Sequence, residues 1–204
     1  MIPYTQKRFI LPPRAERAIM PPLLGFYEGM GWWAQLKKNG TYSEIFVSPE
    51  KEVTALKRDG TPHLAWNFNE ESCRMFRDLP GKGWYVFCAE LLHSKGIGVL
   101  NTNYLHDVLV ANDDYLLGTA YAARHGVLEV LFKGGYDLSP GVRVVDTNFW
   151  VARNIKSNFK ETFWALDPAE DEGLVLKLPN APLSARRNDA WSVKCRFPTK
   201  NSGF

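Results

Sequence analysis

The chain has 204 residues, of which 45% are hydrophobic and 23% charged, so it is long enough for a buried core and wholesale disorder is excluded. The net charge of +3 is mildly basic, which permits a polyanionic partner without requiring one. No segment reaches the roughly 20 apolar residues of a membrane-spanning helix, and the N-terminus lacks the apolar region of a signal peptide. Three scattered cysteines give neither metal-ligand spacing nor a disulfide framework. We therefore expect a soluble, cytoplasmic protein without membrane contact.

Residues 1–24 form a proline-rich N-terminal arm in this prediction, and residues 25–204 form one domain. Proline lacks a backbone donor and disrupts helix interiors, so the five prolines of the arm exclude a long helix. We expect an extended, partly docked segment with one short helical turn at Arg14–Met20.

The next segment reads as four strands, at residues 31–36, 42–47, 52–56 and 63–66. Asn39-Gly40 and Asp59-Gly60 separate them, and Asn-Gly and Asp-Gly are strong hairpin signals because tight hairpin turns need positive φ. Residues 31–67 are therefore predicted to form an antiparallel meander.

The rest of the chain alternates between helical and strand patterns. Helical spacing of apolar residues predicts helices at 70–79, 113–132 and 149–166. Strands are predicted at residues 83–91, 103–110, 173–178 and 191–197. The mixture predicts an α+β fold.

Six short elements carry residues with chemical potential, and each is weak alone. They are Lys37-Lys38-Asn39-Gly40, Lys57-Arg58-Asp59-Gly60, Ala89-Glu90-Leu91, His106-Asp107, Glu172-Gly173-Leu174-Val175-Leu176-Lys177 and Lys194-Cys195-Arg196.

Together these elements meet the needs of a lysine that attacks the α-phosphate of a nucleotide. Such a lysine must lose its proton. Apolar surroundings that exclude water and nearby cations both favour this loss. Lys194 and Arg196 stand two apart on a predicted strand, so they project to one face and could flank phosphates. Glu90 and Glu172 are candidate ligands for a divalent metal.

In this order the elements resemble those of the covalent nucleotidyltransferases, which comprise ATP-dependent RNA and DNA ligases and mRNA capping enzymes. The likeness is closest to phage-type RNA ligases of the RNA ligase 2 kind. It implies ATP and Mg²⁺ or Mn²⁺ as cofactors, with Lys37 taking up AMP and Lys194 and Arg196 at the α-phosphate. It also implies metal ligands at Glu172 and Glu90. The nucleotide-binding residues that it implies are Gln35, Leu36, Arg58, Glu90, His106 and Lys177.

The resemblance further implies an adenylation domain of antiparallel sheets flanked by helices, here without a C-terminal oligonucleotide-binding (OB) domain. The expected activity is ATP-dependent joining of 5′-phosphate and 3′-hydroxyl ends by a monomer, on RNA or on a nicked duplex. RNA is the preferred substrate. DNA nick sealing, RNA capping with GMP and binding without catalysis are the alternatives.

Three features depart from the pattern or leave it open. Lys57-Arg58-Asp59-Gly60 also fits the nucleophile motif of DNA ligases, which makes Lys57 the alternative to Lys37. Arg196 stands where the family has a lysine, and His106 where it has Phe or Tyr.

Overall fold

The computed structural model describes residues 2–15, 17–63, 68, 70–92, 101–185 and 191–198. Its strands are β1 (Ile2–Pro3), β2 (Arg17–Ala18), β3 (Trp33–Lys38), β4 (Thr41–Val47), β5 (Val53–Leu56), β6 (Tyr85–Leu92), β7 (Thr102–Ala111), β8 (Asp114–Tyr115), β9 (Tyr136–Ser139), β10 (Val142–Asp146), β11 (Phe149–Ala152), β12 (Asp171–Lys177) and β13 (Ser192–Arg196). Its α-helices are α1 (Leu24–Gly29), α2 (Glu70–Arg77), α3 (Tyr121–Leu131) and α4 (Phe159–Ala165), and a 3₁₀ helix spans Pro21–Leu23. No helix in these ranges is long and apolar enough to cross a membrane.

The larger of two sheets has nine strands. Seven follow the order β5-β4-β6-β7-β11-β10-β9, while β8 pairs with β7 and β1 pairs with β8. The pairs are antiparallel except β11 with β7. Strands β6 and β7 are buried along nearly their whole length, so both of their faces are covered. One face packs against α2 and α3 through residues such as Phe76, Leu128 and Phe132.

The smaller sheet has the order β2-β13-β12-β3. Side chains alternate across each strand, so every second residue turns away from the solvent. Ala34, Leu36 and Leu174 enter a core shared with α1, α4 and the β10–β11 part of the large sheet. The opposite face of the small sheet, together with β4, β6 and β7, bounds a cleft. The α+β architecture with helices outside the sheets is confirmed.

The predicted meander over residues 31–67 is wrong, because β3 and β4 lie in different sheets. Strand β3 pairs with β12, and β4 pairs with β5 and β6. Gly40 connects the two sheets at a corner, where a Cβ would lie 2.7 Å from the carbonyl oxygen of Leu91. The Asn39-Gly40 pair thus reflects close backbone approach, not a hairpin between paired strands. Of the predicted strand at 63–66, residues 64–66 lie outside the described ranges.

Two predicted helices are too long. In the segment 113–132, Asn112 and Asp113 have positive φ and turn the chain into β8, so the helix begins only at Tyr121. In the segment 149–166, residues 149–152 form β11 instead, and α4 begins after Asn158 in the left-handed region. The helical turn predicted at Arg14–Met20 is also wrong, because β2 pairs there with β13.

Candidate active site

The cleft between the sheets contains a cavity of about 270 Å³. A more open cavity of about 560 Å³ shares Lys37, Arg58 and Glu90 with it, so the two are one continuous site. The first is lined by nine of the ten residues predicted from the sequence: Gln35, Leu36, Lys37, Arg58, Glu90, His106, Lys177, Lys194 and Arg196. Glu172, the tenth, lines the second.

Strand register brings distant residues of the small sheet into rows. Gly173 lies opposite both Lys37 and Arg196, and Val175 lies opposite Gln35 and Lys194. The alternation that sends Gln35 and Lys37 into the cleft sends Leu36 into the core. Leu36 is therefore among the residues that line the cavity, although its side chain packs into the core on the opposite face of the small sheet.

A β-bulge aims the carboxylate of Glu172 at Lys37. The register of β12 against β3 shifts between Asp171 and Gly173, so Glu172 is the extra residue. Its carboxylate accepts a hydrogen bond from the Lys37 ammonium. Gly173 has φ +136°, and a Cβ there would lie 2.1 Å from the carbonyl oxygen of Cys195, so only glycine fits.

A second lysine–carboxylate pair lies on the neighbouring residues. Lys38 Nζ is 2.9 Å from Asp171, and both side chains are 8% exposed. Burial raises the pKa of Asp171, and the Lys38 ammonium opposes this rise. The ammonium also lies 5.8 Å from the centroid of the Trp150 ring. This pair links β3 to β12 beside the pair formed by Lys37 and Glu172.

Lys57 and Arg58 stand on a turn that follows β5. The turn closes with a hydrogen bond from Gly60 N to Lys57 O at 2.9 Å, and Gly60 has φ +81°. The guanidinium of Arg58 lies 4.5 Å from the centroid of the Tyr42 ring and 3.9 Å from Glu90. Lys57 lines only the more open of the two cavities, whereas Arg58 lines both.

The inner end of the cavity presents uncharged and weakly basic groups. Burial lowers the pKa of His106 to about 3, so the imidazole is neutral at physiological pH. The His106 carbonyl accepts hydrogen bonds from Gln35 Nε2 at 3.4 Å and Lys177 Nζ at 3.3 Å. Burial lowers the pKa of Lys177 to about 8, and the nearby Arg124 adds to this effect. Lys177 also lies 4.5 Å from the centroid of the Tyr121 ring.

Sequence reasoning missed Arg124, which holds Asp107 beneath the cavity. Arg124 Nε and Nη2 donate to the two carboxylate oxygens of Asp107 at 3.0 and 2.9 Å. Burial would raise the pKa of Asp107, but the guanidinium holds it below its usual range. The available signal was an arginine within an apolar helical segment, which requires a buried acidic partner.

Glu90 and Glu172 could supply two carboxylate ligands to a divalent metal. Mg²⁺ is usually held by one or two carboxylates, waters and substrate phosphates, and these two side chains line the same cavity. Among the described residues, no group of three or more His, Cys, Asp or Glu side chains could hold an ion alone. These two carboxylates therefore suit a metal whose other ligands come from a bound polyphosphate. In the described part of the chain, protein side chains do not supply the complete set of ligands.

Neither a protein-family model nor a curated protein matches the chain. Its fold is similar to mycobacterial DNA ligase D complexed with ATP and MES, with TM-score 0.68 and 17% identity over 92% of this chain. The ligase domain of LigD from M. tuberculosis gives TM-score 0.66 and 17% identity over 92%. A Lig E DNA ligase, described as binding DNA with a minimal scaffold, gives TM-score 0.51 and 14% identity over 82%.

This chain covers 60% of each of the first two proteins and 62% of the third. At these identities the comparisons establish a shared fold.

Proposed function

We propose that the chain is the adenylation domain of an ATP-dependent polynucleotide ligase, with Lys37 as the residue that takes up AMP. The observation that carries the proposal is the cleft. A single continuous cavity is lined by residues from separate strands. These are the residues that the sequence analysis assigned to one reaction. A protein with the same fold is known in complex with ATP.

The position of Lys37 in the cleft supports its role in the first step. Its Nζ forms a bond to the α-phosphorus while the bond between that phosphorus and the bridging oxygen breaks, and pyrophosphate leaves. The amine must first lose its proton, and the carboxylate of Glu172, its hydrogen-bond partner, is the nearest base. Lys194 and Arg196 stabilise the charge that develops on the phosphate oxygens.

A divalent metal would be held by the carboxylates of Glu90 and Glu172, where it would supply charge neutralisation for the nucleotide phosphates.

The inner end of the cavity suits a purine base. The neutral ring of His106 offers a stacking surface. Because Gln35 Nε2 already donates to the His106 carbonyl, its side-chain oxygen is left to accept from an exocyclic amine. The Lys177 ammonium, with donors beyond the one used by that carbonyl, is placed to donate to a ring nitrogen. An acceptor beside a donor matches the amine and ring nitrogen of adenine.

DNA takes precedence over RNA as the proposed substrate, which reverses the preference drawn from sequence. That preference rested on the Lys-x-Asn-Gly element containing Lys37 together with the Lys-Arg-x-Gly element containing Arg58. Solved structures of similar fold include DNA ligases, and one of them is described as binding DNA with a minimal scaffold. AMP would pass from Lys37 to the 5′-phosphate at a nick, and the 3′-hydroxyl would then displace AMP.

Arg58 is proposed to act in the second of these steps. It stands at the junction of the two cavities, beside Glu90 and over the Tyr42 ring. From there it reaches the phosphates of a bound nucleotide or an incoming 5′-phosphate. Arg58→Ala should impair transfer to the nick more than formation of the lysine adduct.

The test uses α-labelled ATP and GTP with the wild-type protein, followed by matched nicked DNA, RNA and hybrid duplexes. Label from ATP should remain on the denatured protein and should disappear when nicked DNA is added, as sealed product forms. Retention of label from GTP alone would instead favour an RNA-capping activity. No adduct with either nucleotide would refute the proposed function.

A further inference from the structure

The N-terminal arm contributes a strap, defined here as residues 10–15, 17 and 18, which is anchored at both ends of the cleft. At one end the backbone N–H of Ile10 donates to the carboxylate of Glu44 on β4 at 2.8 Å. At the other end β2 pairs in parallel with β13, and Ile19 N donates to Lys194 O at 2.9 Å. The strap therefore connects the two sheets that bound the cavity.

Between these anchors the strap forms part of the cavity wall. Pro13, Arg14 and Ala15 line the same cavity as Lys194 and Arg196. The ring of Pro13 limits the backbone of this segment, which lowers the entropy lost when it is held in place. Arg14 is exposed at the rim of the cavity.

The order of the strands in the small sheet shows where Arg14 lies relative to Lys37. Lys37 stands on β3, and β12, β13 and the strap follow in sequence across the sheet. In phosphoryl transfer the attacking atom, the phosphorus and the leaving group lie roughly in line. A leaving pyrophosphate must therefore point away from Lys37, and within the small sheet β12, β13 and the strap all lie on one side of β3.

We propose that Arg14 binds the outer phosphates of the bound nucleoside triphosphate and positions pyrophosphate as the leaving group. This inference rests on the proposed function and assigns a residue outside the motifs that suggested it. A guanidinium suits the role because it stays charged and donates two parallel hydrogen bonds to a phosphate.

The charge of the cavity supports an anionic ligand at this rim. Among the described residues, eight lysine and arginine side chains line the cavity, against the two carboxylates of Glu90 and Asp107. Asp107 is already held by Arg124, and Glu90 lies beside Arg58. No carboxylate in the described part of the chain forms an ion pair with Arg14.

The test measures the equilibrium binding of ATP and of adenosine by calorimetry in a Lys37→Ala background, where no adduct forms. Arg14→Ala should weaken ATP binding by roughly ten- to a hundredfold, the effect of losing charged hydrogen bonds, and leave adenosine binding unchanged. Arg14→Lys should restore part of the loss. Arg17→Ala is the matched control, since Arg17 is exposed on the same strap outside the cavity, and it should change neither affinity.

Two results would overturn the inference. ATP affinity could be the same with and without Arg14, or adenosine binding could fall as far as ATP binding, which would place Arg14 at the base or sugar. Absence of ATP binding in the Lys37→Ala protein would refute it as well. Adduct formation by the wild-type protein is scored separately. An Arg14-dependent ATP affinity without any adduct would sustain this inference while the proposed function fails.

Discussion

Replacement of Arg124 by alanine tests whether the buried pair beneath the cavity holds the site together. Arg124 donates to both carboxylate oxygens of Asp107 and, through Nη1, to the carbonyl oxygen of Thr119 at 2.7 Å. The side chains of Arg124 and Asp107 are 4% and 3% exposed. Arg124→Ala would therefore leave a nearly buried carboxylate without the cation that pairs with it.

The expected cost is large because only one partner is removed. Loss of one member of a buried ion pair typically costs about 3–5 kcal/mol of folding free energy. For a chain of this size that corresponds to a fall in Tm of about 6–20 °C. His106 is adjacent in sequence to Asp107, so nucleotide binding should weaken together with stability.

The pH dependence identifies the cause. In the wild type Arg124 holds the pKa of Asp107 below its usual range, so this carboxylate contributes stability above an unfolded pKa of about 3.9, which is lost as pH falls. In Arg124→Ala, burial without the cation should raise that pKa. The variant then loses stability as pH rises. The difference between the two proteins should therefore be largest near pH 7 and shrink toward pH 4.

Urea denaturation at pH 7 and pH 5 measures this difference directly. Arg153→Ala is the control, because Arg153 pairs with Glu129 at 2.6 Å with both side chains about one-third exposed. Such a pair contributes about 0–1 kcal/mol. A loss below about 1 kcal/mol for Arg124→Ala, or a loss equal at both pH values, would refute the reasoning.

Three further outcomes are expected. Glu172→Ala should lose most adduct formation while its urea midpoint stays near wild type, and full label transfer by the wild type in excess chelator would contradict the role of a metal. ATP affinity should fall as pH rises through about 8, where the Lys177 ammonium loses its proton, and a pH profile unchanged in Lys177→Met would contradict this assignment. Affinity for nicked duplex should fall steeply with salt, by about 0.9 log units per log unit of salt for each phosphate contact, and a flat salt profile would exclude phosphate-dominated binding.

The sequence predicted which residues line the cavity better than it predicted which strands pair to bring them together. Two-residue alternation put Lys194 and Arg196 on a common face, and both residues line one cavity in the structure. Alternation is a local property, so it is readable from sequence. Whether the face of one strand meets that of another depends on pairing between distant segments, such as β3 with β12.

Long-range contacts account for what the sequence could not supply. The Asn39-Gly40 pair has hairpin chemistry, yet Gly40 is required by the backbone of Leu91 about fifty residues later. The bulge that turns Glu172 toward Lys37 depends on Gly173 meeting the backbone of β13. Nothing in the sequence of the N-terminal arm indicated that the arm lines the cavity. These features arise from tertiary approach, which overrides local preference.

The most direct test of the account is to identify the lysine that carries AMP. The wild-type protein is incubated with labelled ATP, digested under mild conditions and analysed by mass spectrometry, with Lys37→Ala and Lys57→Ala in parallel. The account predicts AMP on the peptide containing Lys37, no adduct in Lys37→Ala and a partial or full adduct in Lys57→Ala. AMP on Lys57, with adduct formation surviving in Lys37→Ala, would contradict it.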